Sequence, residues 1–322
     1  MRKIITIAES VLDTLYRDRQ PVRSFVGGRI PCAAASLAQT GVPTFMVSEC
    51  TTDCVGDLVV DYLTRHKVDV KSIDRYPDGG TPFSAIFEQP DGSTKIVNYG
   101  SYPADRFNVI WPRIDEDDIV IFGSLYSVDL PQRERLYELV SYAAERKAII
   151  VYLPGLQHGI NFRITRVMPN ILENLELSSI VIAHEQDIKS IFPGETTAAA
   201  FHNHIEFYCN NLLHVTPELG IERYGRGVCQ QVSNSTAGVT NTLGWQAGFT
   251  AGVVFMLLAK AVTYDSLSQL TDSQWSEILE LAQQWASASM NDDNCVDADF
   301  AAKSIAALNA GLQQYEQAKE QK

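Results

Sequence analysis

The sequence predicts an α/β protein built on a largely parallel sheet, and three observations carry that prediction. Short apolar runs without polar alternation recur at 3–8, 147–153 and 179–183, as strands covered on both faces require. Amphipathic helical patterns separate such runs along much of the chain. The helix read at 244–262 is apolar nearly all round, which places it inside a large core.

Taken in order, residues 3–8 (KIITIA) read as a buried strand, and Glu9 and Asp13 follow at its C-terminal end, where open α/β sheets hold ligands. Asp13 is therefore a candidate hydroxyl-binding residue. Gly27 and Gly28 precede Pro31 and an alanine-rich helix that stops at Gly41, with proline in the first turn and glycine after the last. A strand at 44–48 leads to Asp53 and Gly56, which open a helix to about residue 65, and a short apolar turn is read at 68–70. At 81–99 the alternation breaks: TPFSAIFE and TKIVNY, joined by Gln89, Pro90, Asp91 and Gly92, form a hairpin. Such an insertion serves as a lid over the sheet's ligand edge or as a dimer contact. A strand at 118–122, a helix at 132–146 and strands at 147–153, 179–183 and 211–216 resume the pattern, and helices at 244–262, 273–290 and 300–319 complete it.

Composition narrows the function classes. The 322 residues, 45% hydrophobic and 20% charged, suffice for a large core. The net charge of -13 opposes binding to nucleic acid or anionic membrane and leaves small molecules and proteins as partners. No apolar run spans a bilayer, and MRKIITIAES does not read as a signal peptide because Glu9 breaks it, so a cytoplasmic location is expected. The six cysteines show no paired-ligand spacing beyond one C-x3-C, at Cys50 and Cys54, and read as reduced thiols. His202 and His204, two apart, do not converge on a metal and read as surface residues.

The stretch 232–260 holds the most information about chemistry. Its polar first half feeds the N-terminus of the late apolar helix, with Thr240, Asn241 and Thr242 as candidate caps. Backbone N–H groups and the helix dipole there suit a phosphate, although a plain buried helix gives the same pattern.

In order and spacing, Glu9 and Asp13, Gly27-Gly28, Asp53-x-x-Gly56, the inserted hairpin and Ala247-Gly248-Phe249 resemble the ribokinase-like (PfkB) carbohydrate kinases. The resemblance implies a single domain with a doubly wound α/β/α sandwich and a small β-hairpin lid, drawn from about 14–26 and 79–102. It also implies transfer of a phosphoryl group from ATP, with magnesium, to a sugar hydroxyl. Sugar contacts would fall to Asp13, Gly27, Gly28 and Cys32, where the family has asparagine at the last. A homodimer through the lid is a further expectation.

The resemblance lapses where the reaction takes place. The family's Gly-Ala-Gly-Asp, which cradles the phosphate and supplies the base, aligns with Thr240, Asn241, Thr242 and Leu243. Leucine cannot take a proton, and threonines resist the backbone conformations glycine allows. No Asp or Glu occurs between Arg223 and Tyr264, so a shifted alignment does not restore the base. The family's Asp-Pro-Asn becomes Leu153-Pro154-Gly155, and its Asn-x-x-Glu, associated with magnesium, falls on His184 and Asp187, read as surface residues opening a helix. The expectation is a family member that binds a sugar-like ligand, in a binding or regulatory role, with little or no kinase turnover. Two alternatives stand beside it: a working kinase whose base comes from Asp13, Asp187 or a partner's lid, and a different enzyme using Cys32, near a helix N-terminus that can lower a thiol pKa, or His184.

Overall fold

The computed structural model describes residues 2–89, 94–103, 106–156, 163–225, 227–232 and 243–320. In chain order its strands are β1 (Ile4–Ile7), β2 (Val11–Arg17), β3 (Gln20–Gly27), β4 (Thr44–Thr51), β5 (Asp69–Tyr76), β6 (Gly80–Glu88), β7 (Thr94–Ser101), β8 (Ile119–Gly123), β9 (Ile149–Leu153), β10 (Ile180–His184), β11 (Leu212–Val215), β12 (Ile221–Gly225) and β13 (Val228–Val232). The helices are α1 (Arg29–Ala38), α2 (Cys54–Arg65), α3 (Arg133–Glu145), α4 (Ile164–Leu177), α5 (Glu185–Ile191), α6 (Thr197–Ala200), α7 (Trp245–Ala259), α8 (Tyr264–Leu267), α9 (Asp272–Ala288) and α10 (Ala298–Glu320).

Nine strands form one sheet in the order β13-β12-β11-β10-β9-β8-β1-β4-β5. The run from β11 to β5 is parallel, and β12 and β13 add an antiparallel edge. Strands β1, β8, β9 and β10 are buried along their whole length, which is why they carry no polar alternation. Helices α1, α2, α7, α9 and α10 cover one face through a core centred on Met46, Ile121, Phe249 and Trp275. Helices α3, α4 and α5 cover the other through Phe122, Leu139, Tyr152 and Ile171. The sheet is thus doubly wound. From β1 the chain builds out one way to β4 and β5 and the other way from β8, so the switch point lies at β1, where open α/β sheets bind ligands at the strands' C-terminal ends. Among the described residues, no helix is long and apolar enough to cross a membrane.

A second sheet of four strands, β3-β2-β6-β7, stands off the large one. The hairpin read from the sequence is half of it (β6 and β7), and β2 and β3 are the other half. Three sequence expectations are corrected. Residues 68–70 do not form a turn; they lead into edge strand β5, whose alternating polar residues obscure it. The antiparallel edge β12-β13 was not anticipated, because Val228–Val232 is polar and half-exposed. Asp13 is not on a loop after β1; it sits within β2.

Candidate active site

A cavity of about 710 Å³ opens between the C-terminal edge of the large sheet and one face of the small sheet. Asp13, Gly27, Gly28, Cys32 and Leu243 all line it, so one cavity gathers residues separated by more than 200 positions in the chain. Glu9, Arg106, Ser124, Tyr126, Asp129 and Asn294 contribute to the same surface.

Asp13 projects from β2 beside Phe25 of β3 and Ser84 of β6. Gly27 leaves room for it: a Cβ at that position would lie 2.0 Å from Asp13 Oδ2. Burial pushes the Asp13 carboxyl up to about 7, with the Ser84 hydroxyl pulling the other way. Gly28 then turns the chain at φ +89 and caps α1. Cys32, in the first turn of α1, is buried, and its thiol donates to the Val26 carbonyl at 3.4 Å. Burial pushes this thiol up to about 12. The suggestion that a helix N-terminus activates Cys32 is therefore overturned, because desolvation of a thiolate outweighs the dipole here.

On the large-sheet side, Glu9 accepts hydrogen bonds from the Ser124 hydroxyl and the Tyr126 N–H, and burial raises its pKa. Beside it, Arg106 pairs with Asp129, lies 3.0 Å from Glu49 and stacks 3.8 Å over the Tyr102 ring. Burial pushes Glu49 up to about 7, opposed by the Arg106 charge.

At the other end of the cavity, Gly244 adopts φ +86 and caps α7, and a Cβ there would lie 2.1 Å from the Ser289 carbonyl oxygen. Leu243, immediately before it, lines the cavity. Thr240, Asn241 and Thr242 lie outside the described residues. Among the described residues, the carboxylates on the cavity wall are Glu9, Asp13 and Asp129.

His184 and Asp187 are not among the residues lining the cavity. They do open helix α5, but the reading of them as surface residues is corrected: both are buried. Asp187 Oδ1 accepts from Leu156 N at 2.8 Å and Oδ2 from His184 N at 3.0 Å, with Arg29 3.7 Å away. The carboxylate thus fixes a helix start. His202 bonds Glu206, and His204 bonds Glu195 while stacking on Phe192. No group of three or more His, Cys, Asp or Glu among the described residues could hold a metal ion.

The sequence reading missed Ser84, Asn98, Arg106, Asp129 and Asn294. For Ser84 and Asn98 a signal existed, since each is a polar residue two positions from an isoleucine on the same strand face, at S-A-I and I-V-N. Arg106 and Asp129 had none, because their pairing is made only by tertiary structure.

A large doubly wound sheet with a small sheet over its switch point defines a ribokinase-like fold. Residues 4–206 match the pfkB family carbohydrate kinases, and the chain belongs to that family. An uncharacterized sugar kinase of Pyrococcus horikoshii is 24% identical over 198 residues, which span 58% of this chain and 62% of that protein. Its crystal structure superposes with a TM-score of 0.74, covering 96% of this chain and 99% of that one, at 17% identity. A fructokinase of Vibrio cholerae O395 with bound fructose, ADP and potassium gives a TM-score of 0.77 at 14% identity, covering 94% of this chain and 98% of that one. The aminoimidazole riboside kinase of Salmonella enterica, complexed with aminoimidazole riboside and an ATP analog, gives 0.76 at 14% identity, over 94% of this chain and all of the other (100%).

Proposed function

We propose that this protein binds a polyhydroxylated, sugar-like small molecule in the cavity and phosphorylates it slowly or not at all, acting as a binding or regulatory member of its family. The observation that carries this is the pairing of the Asp13, Gly27 and Gly28 group with a leucine just before α7 in one cavity. Asp13, backed by Gly27, and the half-buried Glu9 offer carboxyl groups to hydroxyls in a desolvated setting. By the family resemblance Leu243 takes the position of the residue that accepts the proton of the reacting hydroxyl, and it lines the same cavity.

ATP and magnesium are the family's reagents: the nucleotide supplies the phosphoryl group, and the cation neutralises charge as it transfers. His184 and Asp187 do not fit the cation, because both Asp187 oxygens are engaged by backbone N–H groups in a buried setting. The α7 N-terminus retains helix-dipole attraction for an anion, so nucleotide binding without efficient transfer accords with the arrangement. A homodimer through the small sheet belongs to the same proposal, tested by light scattering of the purified protein.

A second reading, an active kinase, is favoured by one feature. Asp13 titrates near 7, the range in which a general base works best at neutral pH, and shares the cavity with Leu243. Calorimetric titration with D-fructose, D-glucose and D-ribose, each with and without ATP and magnesium, alongside an ADP-release assay, separates the two. Sugar binding without sugar-dependent ADP release supports the first reading. Sugar-dependent release abolished by Asp13→Asn supports the second.

A further inference from the structure

Across the small sheet, strand register aligns Asp13 of β2 with Ser84 of β6, and Ser84 with Asn98 of β7. All three line the cavity. The next row on this face is apolar, with Leu15 opposite Ile86 and Ile86 opposite Ile96, and Val11, Pro82 and Gly100 bound the other side. A single polar stripe therefore crosses an otherwise apolar wall. With strands about 4.8 Å apart, it runs roughly 10 Å from backbone to backbone. Its members are already coupled: the Ser84 hydroxyl donates to Asn98 Oδ1 at 2.9 Å, which orients the Asn98 amide and leaves its NH₂ group as a donor. Ser84 is buried, so its hydroxyl is held in a dry setting, while Asn98 stands at the open end.

We propose that Ser84 and Asn98 extend the Asp13 subsite into a row that reads hydroxyls at both ends of the ligand, selecting a polyol of hexose size or larger. This rests on the polyol-binding reading above. Asp13 holds the hydroxyls at its own end of the row, common to short and long polyols. Asn98, two strands further out, is reached only by the distal hydroxyls of a longer one, so it sets specificity and Ser84 positions it.

The test is calorimetric titration of wild type, Asp13→Asn, Ser84→Ala and Asn98→Leu with D-fructose, D-glucose, D-ribose and erythritol. Asn98 lies on exposed edge strand β7, so its leucine variant should fold, and a thermal melt checks this. Loss of one neutral hydrogen bond predicts that Asn98→Leu weakens the hexoses about three- to tenfold, leaves D-ribose and erythritol unchanged, and that Ser84→Ala follows in part. Equal weakening of all probes, or no effect on any, overturns the inference while leaving the polyol reading intact if Asp13→Asn weakens them all. A wild type that binds none of the probes overturns both.

Discussion

Replacing Asp13 with asparagine should stabilise the protein at alkaline pH and leave it unchanged at acid pH. Asparagine matches the neutral carboxyl in shape but cannot ionise. In the unfolded chain Asp13 titrates near 3.8, and in the native cavity burial raises this to about 7. Between those values the native state holds a proton that the unfolded state has lost, so stability falls as pH rises through the interval and levels off above about 7. A shift of roughly three units corresponds to ~4 kcal/mol. Because Asp13 is partly open to cavity water, which screens its charge, about half of that, ~2 kcal/mol, is the working figure. For a chain of this size the gain at pH 8 is roughly 3 °C in Tm, and at pH 4 it is near zero. Glu49 is raised to about 7 in the same direction, but it is present in both proteins and drops out of the difference. Melting curves of wild type and variant across this pH range, in a non-titrating salt background, provide the check. A difference that stays flat with pH, or an asparagine variant less stable at pH 8, would refute the desolvation argument.

Three further outcomes follow from the same geometry. Gly27→Ala, which drives a methyl onto Asp13 Oδ2, should weaken binding of whichever probe sugar binds by about tenfold or more, matching Asp13→Asn; calorimetry reads this directly. Cys32 should resist iodoacetamide at neutral pH in the folded protein, whereas exposed Cys54 and Cys229 react, as peptide mass mapping would show. Asp187→Ala should lower stability by about 2–4 kcal/mol through two lost buried hydrogen bonds, with no dependence on magnesium; urea denaturation with and without magnesium chloride distinguishes this from loss of a metal ligand.

Much of the fold was legible because its strands obey one rule. IITI, IIVYL and IVIAH carry no polar alternation, since helices cover both faces of the sheet, and that pattern survives without tertiary information. What escaped were strands at edges. β5 and β13 carry polar residues on open sides, so their periodicity merges with that of loops, while the region of β2 and β3 was reached only through the family's lid and not from its own residue pattern. The site divided in the same way. Asp13, Gly27 and Gly28 stood out because few residue types suit such positions, and Leu243 by its alignment with the family's base, while Arg106 with Glu49 and Asp129 is joined only by tertiary structure and has no local signature. The thiol of Cys32 was misjudged because burial, not position in a helix, decides its ionisation. His184 and Asp187 were located at a helix start, yet their burial depended on Leu156 and Arg29 folding over them.

The most direct measurement is sugar-dependent ADP release by the purified protein with ATP and magnesium, at saturating D-fructose, D-glucose or D-ribose, beside the Leu243→Asp variant. Removing a positioned base lowers turnover by about 10² to 10⁴ from the roughly 1 to 100 per second usual for kinases. Wild type should therefore release ADP no faster than about 1 per second. A carboxylate at position 243 alone should not raise that rate, because threonines still occupy 240 and 242. Wild-type turnover of about 10 per second or more would show that Leu243 does not mark a lost base.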